Sequence, residues 1–337
     1  MHANGRPSMA VLGEKARVGE TGLYISRMGL GGAPLGGLYS AVSEAQATAT
    51  VEKALQLGLR HIDTAPFYGF GRSEERIGMA LRGRKREDYT LSTKVGRVLT
   101  PTDGKENATA YWAEAAGAGA VFDFGEAGVR KSLDGSMMRL GIGMFDILFI
   151  HDCDGREDEA LKHSYPVLNE MKERGEVSAI GAGLNSYQTA LKLAKRQQFD
   201  CFLLAGRYTL LEQGAQEDFL PFCSDNKIGV IAGGVFNSGI LASGPTRDAK
   251  YDYADAPPAI LEKTRRIKSI CDKFEVDLRA ASLQFVLANP GIVSVIVGCR
   301  SPREVEEDKS ALTQEIPRSF WDELKAARLV REDSPTP

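Results

Sequence analysis

The chain has 337 residues, of which 43% are hydrophobic and 26% are charged. These fractions are typical of folded globular proteins and exclude a disordered chain, a collagen-like repeat and a coiled coil. The 42 Lys and Arg residues are balanced by 45 Asp and Glu residues, so the net charge is −3. No global positive field is available to hold nucleic acid or an anionic membrane, and we expect a small-molecule substrate instead.

The cysteines are odd in number and far apart, and they form no Cys-x-x-Cys pair: Cys153, Cys201, Cys223, Cys271 and Cys299. This spacing is unlike a disulfide framework or a zinc site, so it predicts free thiols in a reducing compartment. The N-terminal sequence MHANGRPSMAVLGEKA lacks the continuous apolar stretch of a signal peptide. No run approaches the roughly 20 apolar residues of a membrane span. We therefore expect a cytoplasmic protein.

The predicted elements begin with a hairpin that follows an N-terminal extension, residues 1–16. Two β-prone pieces within Arg17–Ile25 flank the turn residues Glu20, Thr21 and Gly22. Short apolar runs then predict eight strands: Ser26–Gly31, Leu59–Thr64, Tyr89–Lys94, Phe145–His151, Val177–Gly183, Cys201–Ala205, Gly229–Ala232 and Ile292–Val297.

Helical patterns lie between these strands. In Ser43–Gly58, Ala47, Val51 and Leu55 recur at helical spacing, and the final glycine supplies a stop. Similar patterns predict the other helices: Ser73–Leu81, Ala127–Leu140, Ala160–Arg174, Tyr187–Lys195, Asp218–Asn226 and Pro258–Phe274.

Eight strands that alternate with helices, without a linker rich in Pro or Ser, predict one α/β domain. We predict a (β/α)8 TIM barrel over residues 17–333 whose N-terminal β-hairpin plugs one end, with a doubly wound sheet as the alternative. Residues 334–337 are predicted to form a frayed tail. Gly96–Gly125 is predicted to be a long loop and, because it follows a strand, a candidate substrate lid.

Four polar residues lie at or just after the ends of three consecutive predicted strands: Asp63, Tyr68, Lys94 and His151. In a parallel barrel these positions converge at one mouth. A tyrosine phenol, with an ordinary pKa of about 10, is a poor base near neutrality. We expect Lys94 to stabilise the phenolate of Tyr68, Asp63 to orient Lys94, and His151 to aim the reacting oxygen.

Each of these residues also has an ordinary structural interpretation. Asp63 alone is typical of a turn cap. Tyr68 alone is more often a packed aromatic, and Lys94 alone is usually a solvated charge. His151, on a strongly apolar strand, is typical of a core histidine. Their joint placement at strand ends favours catalysis, because core packing does not require it.

The motif Asp63–Glu74 has the form D-T-A-x-x-Y-G-x-G-x-S-E. With it, the chain resembles the aldo-keto reductase superfamily, whose tetrad of Asp, Tyr, Lys and His matches the four residues above. The resemblance extends over most of the chain: Arg17–Gly31, Ala179–Asn185, Val230–Leu241 and Val297–Asp308. It implies a barrel, a nicotinamide dinucleotide bound in extended form at the mouth, and direct hydride transfer.

Within that family, Gly29–Tyr39, His151–Asp154 and Val235–Leu241 resemble the sugar-oxidising branch, which includes aldose dehydrogenases and is similar to a pyridoxal 4-dehydrogenase. The shared chemistry that this implies is oxidation of a cyclic hemiacetal, of an aldose such as L-fucose or of pyridoxal, to a lactone with Tyr68 as the base. Aromatic residues are candidates for the pocket walls: Tyr39, Trp112, Phe122 and Phe236. An alternative from another class is a nucleotide-sensing regulatory subunit, which the intact tetrad disfavours.

The resemblance also implies the residues that contact the dinucleotide: Gly32, Asp63, Asn185, Gly233, Val235, Phe236, Ser238, Gly239, Gly298, Arg300, Ser301, Glu304 and Asp308. The chain departs from the family at several of them. The nicotinamide-binding Ser-Asn pair falls at Gly183 and Leu184, which leaves Asn185 as a substitute. Glu304 stands where the family usually has a basic residue that binds the 2′-phosphate of NADP. A carboxylate repels that phosphate, so NAD is favoured, while Arg300 and Arg303 keep NADP possible.

Two other motif interpretations are weak. Gly181 and Gly183 lack the third glycine of a G-x-G-x-x-G fingerprint, so a Rossmann dinucleotide fold is not supported. His61, His151 and the aspartates near them have no recognised metal-ligand spacing, and we predict no metal site.

Overall fold

An antiparallel hairpin closes one end of the molecule. The computed structural model describes residues 15–101, 111–114 and 118–337, and the predicted extension lies outside them except for Lys15 and Ala16. These two residues belong to strand β1 (Lys15–Arg17), which pairs with β2 (Tyr24–Ser26), so the hairpin starts earlier than predicted. Val18 and Ile25 of this hairpin are fully buried against side chains of the barrel interior, which makes the hairpin the predicted plug.

The remaining strands of the described residues are β3 Met28–Gly31, β4 His61–Asp63, β5 Thr90–Val95, β6 Arg97–Pro101, β7 Ala118–Phe122, β8 Ile147–His151, β9 Ala179–Leu184, β10 Cys201–Ala205, β11 Gly229–Gly233, β12 Lys250–Tyr251, β13 Ala254–Asp255 and β14 Ile292–Gly298. Eight of them form a closed parallel barrel in the order β3-β4-β5-β8-β9-β10-β11-β14. The predicted strands and the predicted (β/α)8 fold are confirmed, and the doubly wound alternative is wrong.

The barrel strands are apolar at successive positions because both of their faces are covered. In β8, Ile147 and Phe149 point into the barrel and pack with interior residues of other strands. Leu148 and Ile150 point outward and pack with the surrounding helices. Side chains of a strand alternate between its two faces, so a strand buried on both faces has a continuous apolar run.

The helices surround the barrel: α1 Glu44–Gln56, α2 Arg72–Leu81, α3 Glu126–Leu140, α4 Glu157–Glu159, α5 Tyr165–Glu173, α6 Tyr187–Ala194, α7 Phe219–Asp225, α8 Ile240–Ser243, α9 Pro258–Lys273, α10 Leu278–Ala288, α11 Pro302–Ala311 and α12 Arg318–Ala326. A π-helical turn joins α4 to α5 within the predicted Ala160–Arg174 helix. Sequence analysis missed α4, α8, α10 and α12. Across the described residues, no helix combines the length and apolar character needed to cross a bilayer.

The insertion between β5 and β8 is more ordered at its base than a loop. β6 begins directly after β5 and pairs antiparallel with β7, so the prediction of a loop over Gly96–Gly125 is corrected at these two strands. Residues 102–110 and 115–117 of the predicted loop lie outside the described residues. The strand β6 starts at Arg97, which lies at the barrel mouth. A second small ribbon, β12 paired with β13, also lies over this mouth and carries Asp252 and Tyr253 at its turn.

The C-terminal end is anchored at Ser334. The residue is 2% exposed, its hydroxyl donates to Gln216 at 2.7 Å, and its carbonyl accepts from Lys325 at 2.8 Å. The prediction that the chain is frayed from residue 334 onward is therefore wrong at that position. Two hydrogen bonds to separate elements hold a segment that composition alone marked as a tail.

Candidate active site

The strand ends carry the four predicted side chains to one mouth of the barrel, opposite the hairpin plug. β4 ends at Asp63 and β8 ends at His151, while Lys94 lies near the end of β5, which is hydrogen-bonded to both strands. Tyr68 follows in the turn before α2, where its carbonyl accepts from the backbone N–H of Ser73. The predicted convergence is therefore present in the fold.

A buried ion pair lies at the centre of this group. The Lys94 ammonium donates to Asp63 at 2.7 Å and to the Thr64 carbonyl at 2.8 Å. The other carboxylate oxygen of Asp63 accepts from the Ser92 hydroxyl at 2.7 Å. Both side chains are nearly inaccessible, with 1% of Lys94 and 3% of Asp63 exposed. The pair is thus fixed in one geometry, and each charge is compensated by its partner.

Tyr68 lies beside this pair. The Lys94 nitrogen is 4.6 Å from the centre of the Tyr68 ring. Burial, followed by the carboxylates of Asp63 and Asp152, raises the pKa of the Tyr68 phenol well above its usual value, and Arg97 opposes this shift. Lys94 is paired with Asp63, and its expected stabilisation of the phenolate stays a prediction. The raised pKa favours the protonated phenol at neutral pH.

His151 forms the next part of the wall. Its ring centre is 6.0 Å from that of Tyr68, and its Nε2 atom is 3.4 Å from the Asp152 carboxylate. Burial, with the positive charges of Arg97 and Lys94, lowers the pKa of His151 well below its usual value. The imidazole is therefore neutral and can donate one N–H to an oxygen in the pocket.

A cavity of about 320 Å³ opens beside these residues. Its walls combine aromatic rings with charged and amide side chains: Phe67, Tyr68, Tyr111, Trp112, Tyr253, Lys94, Arg97, Asp152, Asn185, Arg207 and Asp252. Of the aromatic residues predicted for this pocket, Trp112 lines it. Phe122 lies outside and packs on the Arg97 guanidinium, 4.5 Å from its ring centre, while Tyr39 and Phe236 line the neighbouring groove.

The segment Tyr111–Glu114 covers one side of this cavity. Its backbone pairs with that of Leu38 and Tyr39, and Trp112 is only 6% exposed. Both carboxylate oxygens of Glu114 accept from Arg76 on α2, at 3.2 and 3.1 Å. The ion pair ties the segment to the barrel and holds the Trp112 indole against Phe67 and Tyr68. We call this segment the Trp112 wall.

A second cavity, a groove of about 390 Å³, meets the first at Tyr68. Its lining includes most of the predicted dinucleotide positions: Asp63, Gly233, Val235, Phe236, Ser238, Gly239, Gly298, Arg300 and Glu304. The groove passes the loop after β11 and reaches the start of α11. This course, which starts at the candidate reaction centre, fits an extended dinucleotide.

The loop after β11 has the backbone geometry of an anion cradle. Gly234, Asn237, Ser238 and Gly239 all have positive φ. The backbone N–H groups of Val235, Phe236 and Ser238 have no hydrogen-bond partner in the part of the chain that the structure describes. Successive free N–H groups in such a turn bind phosphate oxygens well. The residues present therefore fit the pyrophosphate of a dinucleotide.

Four predicted cofactor positions do not line the groove. Gly32 is packed against α2, where a Cβ would lie 2.5 Å from the Ser73 hydroxyl. Ser301 caps α11, and the buried carboxylate of Asp308 accepts from the Arg279 guanidinium at 2.5 Å. Asn185 lines the smaller cavity, and its amide donates to Asp152 at 3.0 Å. The side chains of Asn185, Ser301 and Asp308 point toward these other partners because packing determines their direction.

Sequence reasoning missed three arginines at these cavities. Arg97 and Arg207 line the smaller cavity, and Arg279 lines the groove. Arg279 lies on α10, which was not predicted, and the other two begin β6 and follow β10. A basic residue directly after a predicted barrel strand was a usable signal for Arg207.

The residues considered for a metal have other partners or lie apart. His61 is fully buried and its ring bonds to the Thr90 hydroxyl at 3.1 Å. Among the residues that the structure describes, no three His, Cys, Asp or Glu side chains are grouped as metal ligands would be. All five cysteines are free thiols, as predicted, and the structure shows that all five are buried.

Comparison with known proteins agrees with this fold. The model of the aldo/keto reductase family matches residues 27–328. A pyridoxal 4-dehydrogenase of Microbacterium luteolum is 38% identical, over 94% of this chain and 98% of that protein. A D-threo-aldose 1-dehydrogenase of a Pseudomonas species is 37% identical, over 94% and 97% respectively. An aldo-keto reductase of Bacillus halodurans, solved in its holo form, superimposes with a TM-score of 0.77 at 22% identity, over 94% of this chain and 96% of that one.

The barrel and the mouth with its groove define an NAD(P)-dependent oxidoreductase. The family match covers nearly the whole chain, and this protein belongs to the aldo/keto reductase family. Its relatives of 37 and 38% identity carry dehydrogenase names. The alternative of a regulatory subunit has no support from these relatives.

Proposed function

We propose that this enzyme oxidises the anomeric hydroxyl of a cyclic aldose hemiacetal to a lactone. The observation that carries the proposal is the position of Tyr68, which lines both the groove and the smaller cavity. A substrate in the cavity and a dinucleotide in the groove would therefore meet at Tyr68 and Tyr253, the two phenols that line both. We assign the hydroxyl proton to Tyr68 because it is the phenol beside the Lys94 ammonium. Oxidation of a hemiacetal carbon gives a lactone directly, since the ring oxygen is already attached to it.

The dinucleotide would supply the hydride acceptor when bound. In our proposal, Tyr68 first loses its own proton to water, in a fraction of molecules that increases with pH. The phenolate then accepts the proton of the anomeric hydroxyl while the C–H electron pair leaves as hydride and the C=O bond of the lactone forms. His151 donates its N–H to the same oxygen and orients it. Lys94 and Asp63 position the tyrosine ring and compensate each other's charge. The proton then passes from Tyr68 to water, which restores the base.

We further propose that Gly233, Val235, Phe236, Ser238 and Gly239 hold the pyrophosphate. Gly298, Arg300 and Glu304 would lie toward the adenosine end. Glu304 accepts from the Arg300 backbone N–H at 2.7 Å and from its guanidinium at 3.1 Å. Because this arginine is engaged by a carboxylate, it is poorly placed to clamp a 2′-phosphate, and NAD is favoured over NADP.

Pyridoxal is the second candidate substrate. It also closes to a cyclic hemiacetal, and a relative named for its oxidation is 38% identical. The aromatic rings of the cavity, Phe67, Trp112 and Tyr253, would accept its planar ring. We place aldoses first because charged and amide groups, including Arg97, Asp152 and Asn185, occupy the same cavity and suit several hydroxyl groups.

A substrate panel tests the proposal. NADH or NADPH absorbance growth is measured with L-fucose, D-arabinose and pyridoxal, each with NAD and NADP. We expect turnover with at least one sugar, faster with NAD, and a lactone as product. Oxidation of none of these hemiacetals would refute the function.

The free thiols also support a reducing compartment, and we propose that the protein is located in the cytoplasm.

A further inference from the structure

Asp152 has an unusual position in the cavity wall. It follows His151 directly, and its backbone has a φ of 45°, a left-handed conformation that is uncommon outside glycine. Its backbone N–H donates to the Gly183 carbonyl at 2.9 Å. A non-glycine residue persists in this conformation only when its surroundings enforce it, and such residues cluster at functional sites.

The carboxylate of Asp152 is held by two side chains from different elements. Arg97 donates to Oδ2 at 2.5 Å, and Asn185 donates to Oδ1 at 3.0 Å. The Arg97 guanidinium in turn lies over the rings of Phe67 and Phe122, at 4.0 and 4.5 Å. Both charged groups are mostly buried, with 15% of Arg97 and 19% of Asp152 exposed.

This arrangement is costly for the apo protein, because two charges are removed from water at a cavity wall. Packing alone does not require it, since apolar side chains of similar volume could fill the same wall. A carboxylate has about four acceptor sites, so Asp152 can still accept from a hydroxyl, and the guanidinium of Arg97 can donate to one. Together they present an acceptor and a donor side by side.

We propose that Asp152, held by Arg97 and Asn185, binds the hydroxyl on the carbon next to the reacting carbon and so selects a 1,2-diol hemiacetal. The inference rests on the hemiacetal oxidation proposed above. The Oδ2 atom is 3.4 Å from Nε2 of His151, which is comparable with the separation of two neighbouring hydroxyl oxygens. When His151 binds the anomeric oxygen, Asp152 therefore faces the adjacent hydroxyl. Pyridoxal has no hydroxyl at that position.

The first test uses the unaltered enzyme. We compare kcat/KM for L-fucose and for its 2-deoxy analogue at saturating NAD. Loss of a hydroxyl that is bonded to a charged group leaves that group unpaired, so we expect kcat/KM to fall roughly 10- to 100-fold. Equal values for the two sugars would overturn the inference while leaving the proposed oxidation intact. Turnover with pyridoxal alone would overturn both the inference and the choice of an aldose as substrate, while oxidation of a hemiacetal would stand.

The second test uses Asp152→Ala and Asp152→Asn, with Asp154→Asn as the matched control because Asp154 is exposed nearby. We expect Asp152→Ala to erase the difference between the two sugars, and Asp152→Asn to restore part of it. The KM for NAD is expected to remain within about twofold in each variant, which a general structural defect would not allow. A difference between sugars that persists in Asp152→Ala would overturn the inference. Failure of every hemiacetal with the unaltered enzyme would instead refute the proposed function.

Discussion

Replacing Lys94 by Met tests the buried ion pair at the centre of the site. The substitution leaves the Asp63 carboxylate with the Ser92 hydroxyl but without its counter-charge, at a position where only 3% of the side chain is exposed. Breaking such a buried pair by removing one partner costs about 3–5 kcal/mol. We expect the free energy of unfolding to fall by this amount.

The double variant Lys94→Met/Asp63→Asn measures the interaction between the two charges, apart from the contribution of each residue alone. With both charges removed, no uncompensated carboxylate remains, so the loss is expected to be smaller than the sum of the two single losses by about 0.5–3 kcal/mol. Urea unfolding is followed by the tryptophan fluorescence of the chain, which comes from Trp112 and Trp321, 6% and 1% exposed. Lys268→Met is the control, because the Lys268 and Asp272 pair is exposed and is worth about 0.3–0.5 kcal/mol. Additive losses, or a loss for Lys94→Met as small as the control, would refute the assignment.

Four further variants test other parts of the molecule. Tyr68→Phe is expected to lower turnover roughly 100- to 10,000-fold with unchanged dinucleotide binding, because the proton acceptor is lost. Glu304→Gln is expected to raise kcat/KM for NADP about tenfold relative to NAD, since a repelling carboxylate is removed. Glu114→Gln weakens the ion pair that holds the Trp112 wall, so the substrate KM is expected to rise several-fold with a smaller change in kcat. Burial lowers the pKa of His61 to about 3, so the unfolded chain takes up a proton at this residue before the folded protein does. The free energy of unfolding is therefore expected to fall as pH falls from 6.5 toward 3, by at most about 1.4 kcal/mol per pH unit. His61→Asn is expected to flatten this dependence on pH.

Controls and contrary outcomes follow from the same contacts. Glu75→Gln and His163→Asn change exposed residues of the same types and are expected to match the unaltered enzyme. Turnover of Tyr68→Phe at the rate of the unaltered enzyme would show that Tyr68 is not the proton acceptor. An unchanged coenzyme ratio, an unchanged substrate KM or an unchanged pH slope would reject the respective assignments to Glu304, Glu114 and His61.

The raised pKa of Tyr68 also predicts how the rate of oxidation depends on pH. Because burial and nearby carboxylates hold the pKa of Tyr68 well above its usual value, the phenolate fraction increases with pH throughout the accessible range. The rate of oxidation is therefore expected to rise from neutral to alkaline pH. A rate that falls steadily over this range would contradict a tyrosine base.

The sequence by itself determined the barrel and the order of its strands. Runs such as Ile147–Ile150 are apolar at every position because both faces of a barrel strand are buried, and this pattern is readable without coordinates. The strands' parallel arrangement then requires Asp63, Lys94 and His151 to converge. Local signals also marked helix starts, as with Ser43 before α1.

Only the tertiary structure decided which side chains face the cavities and how their charges are compensated. Asp308 turns inward to Arg279, and Asp152 joins Arg97 with Asn185, although these partners lie far apart in the chain. The same is true of the raised pKa of Tyr68. Side-chain direction and charge compensation depend on contacts between distant segments, and no local pattern of residues encodes those contacts.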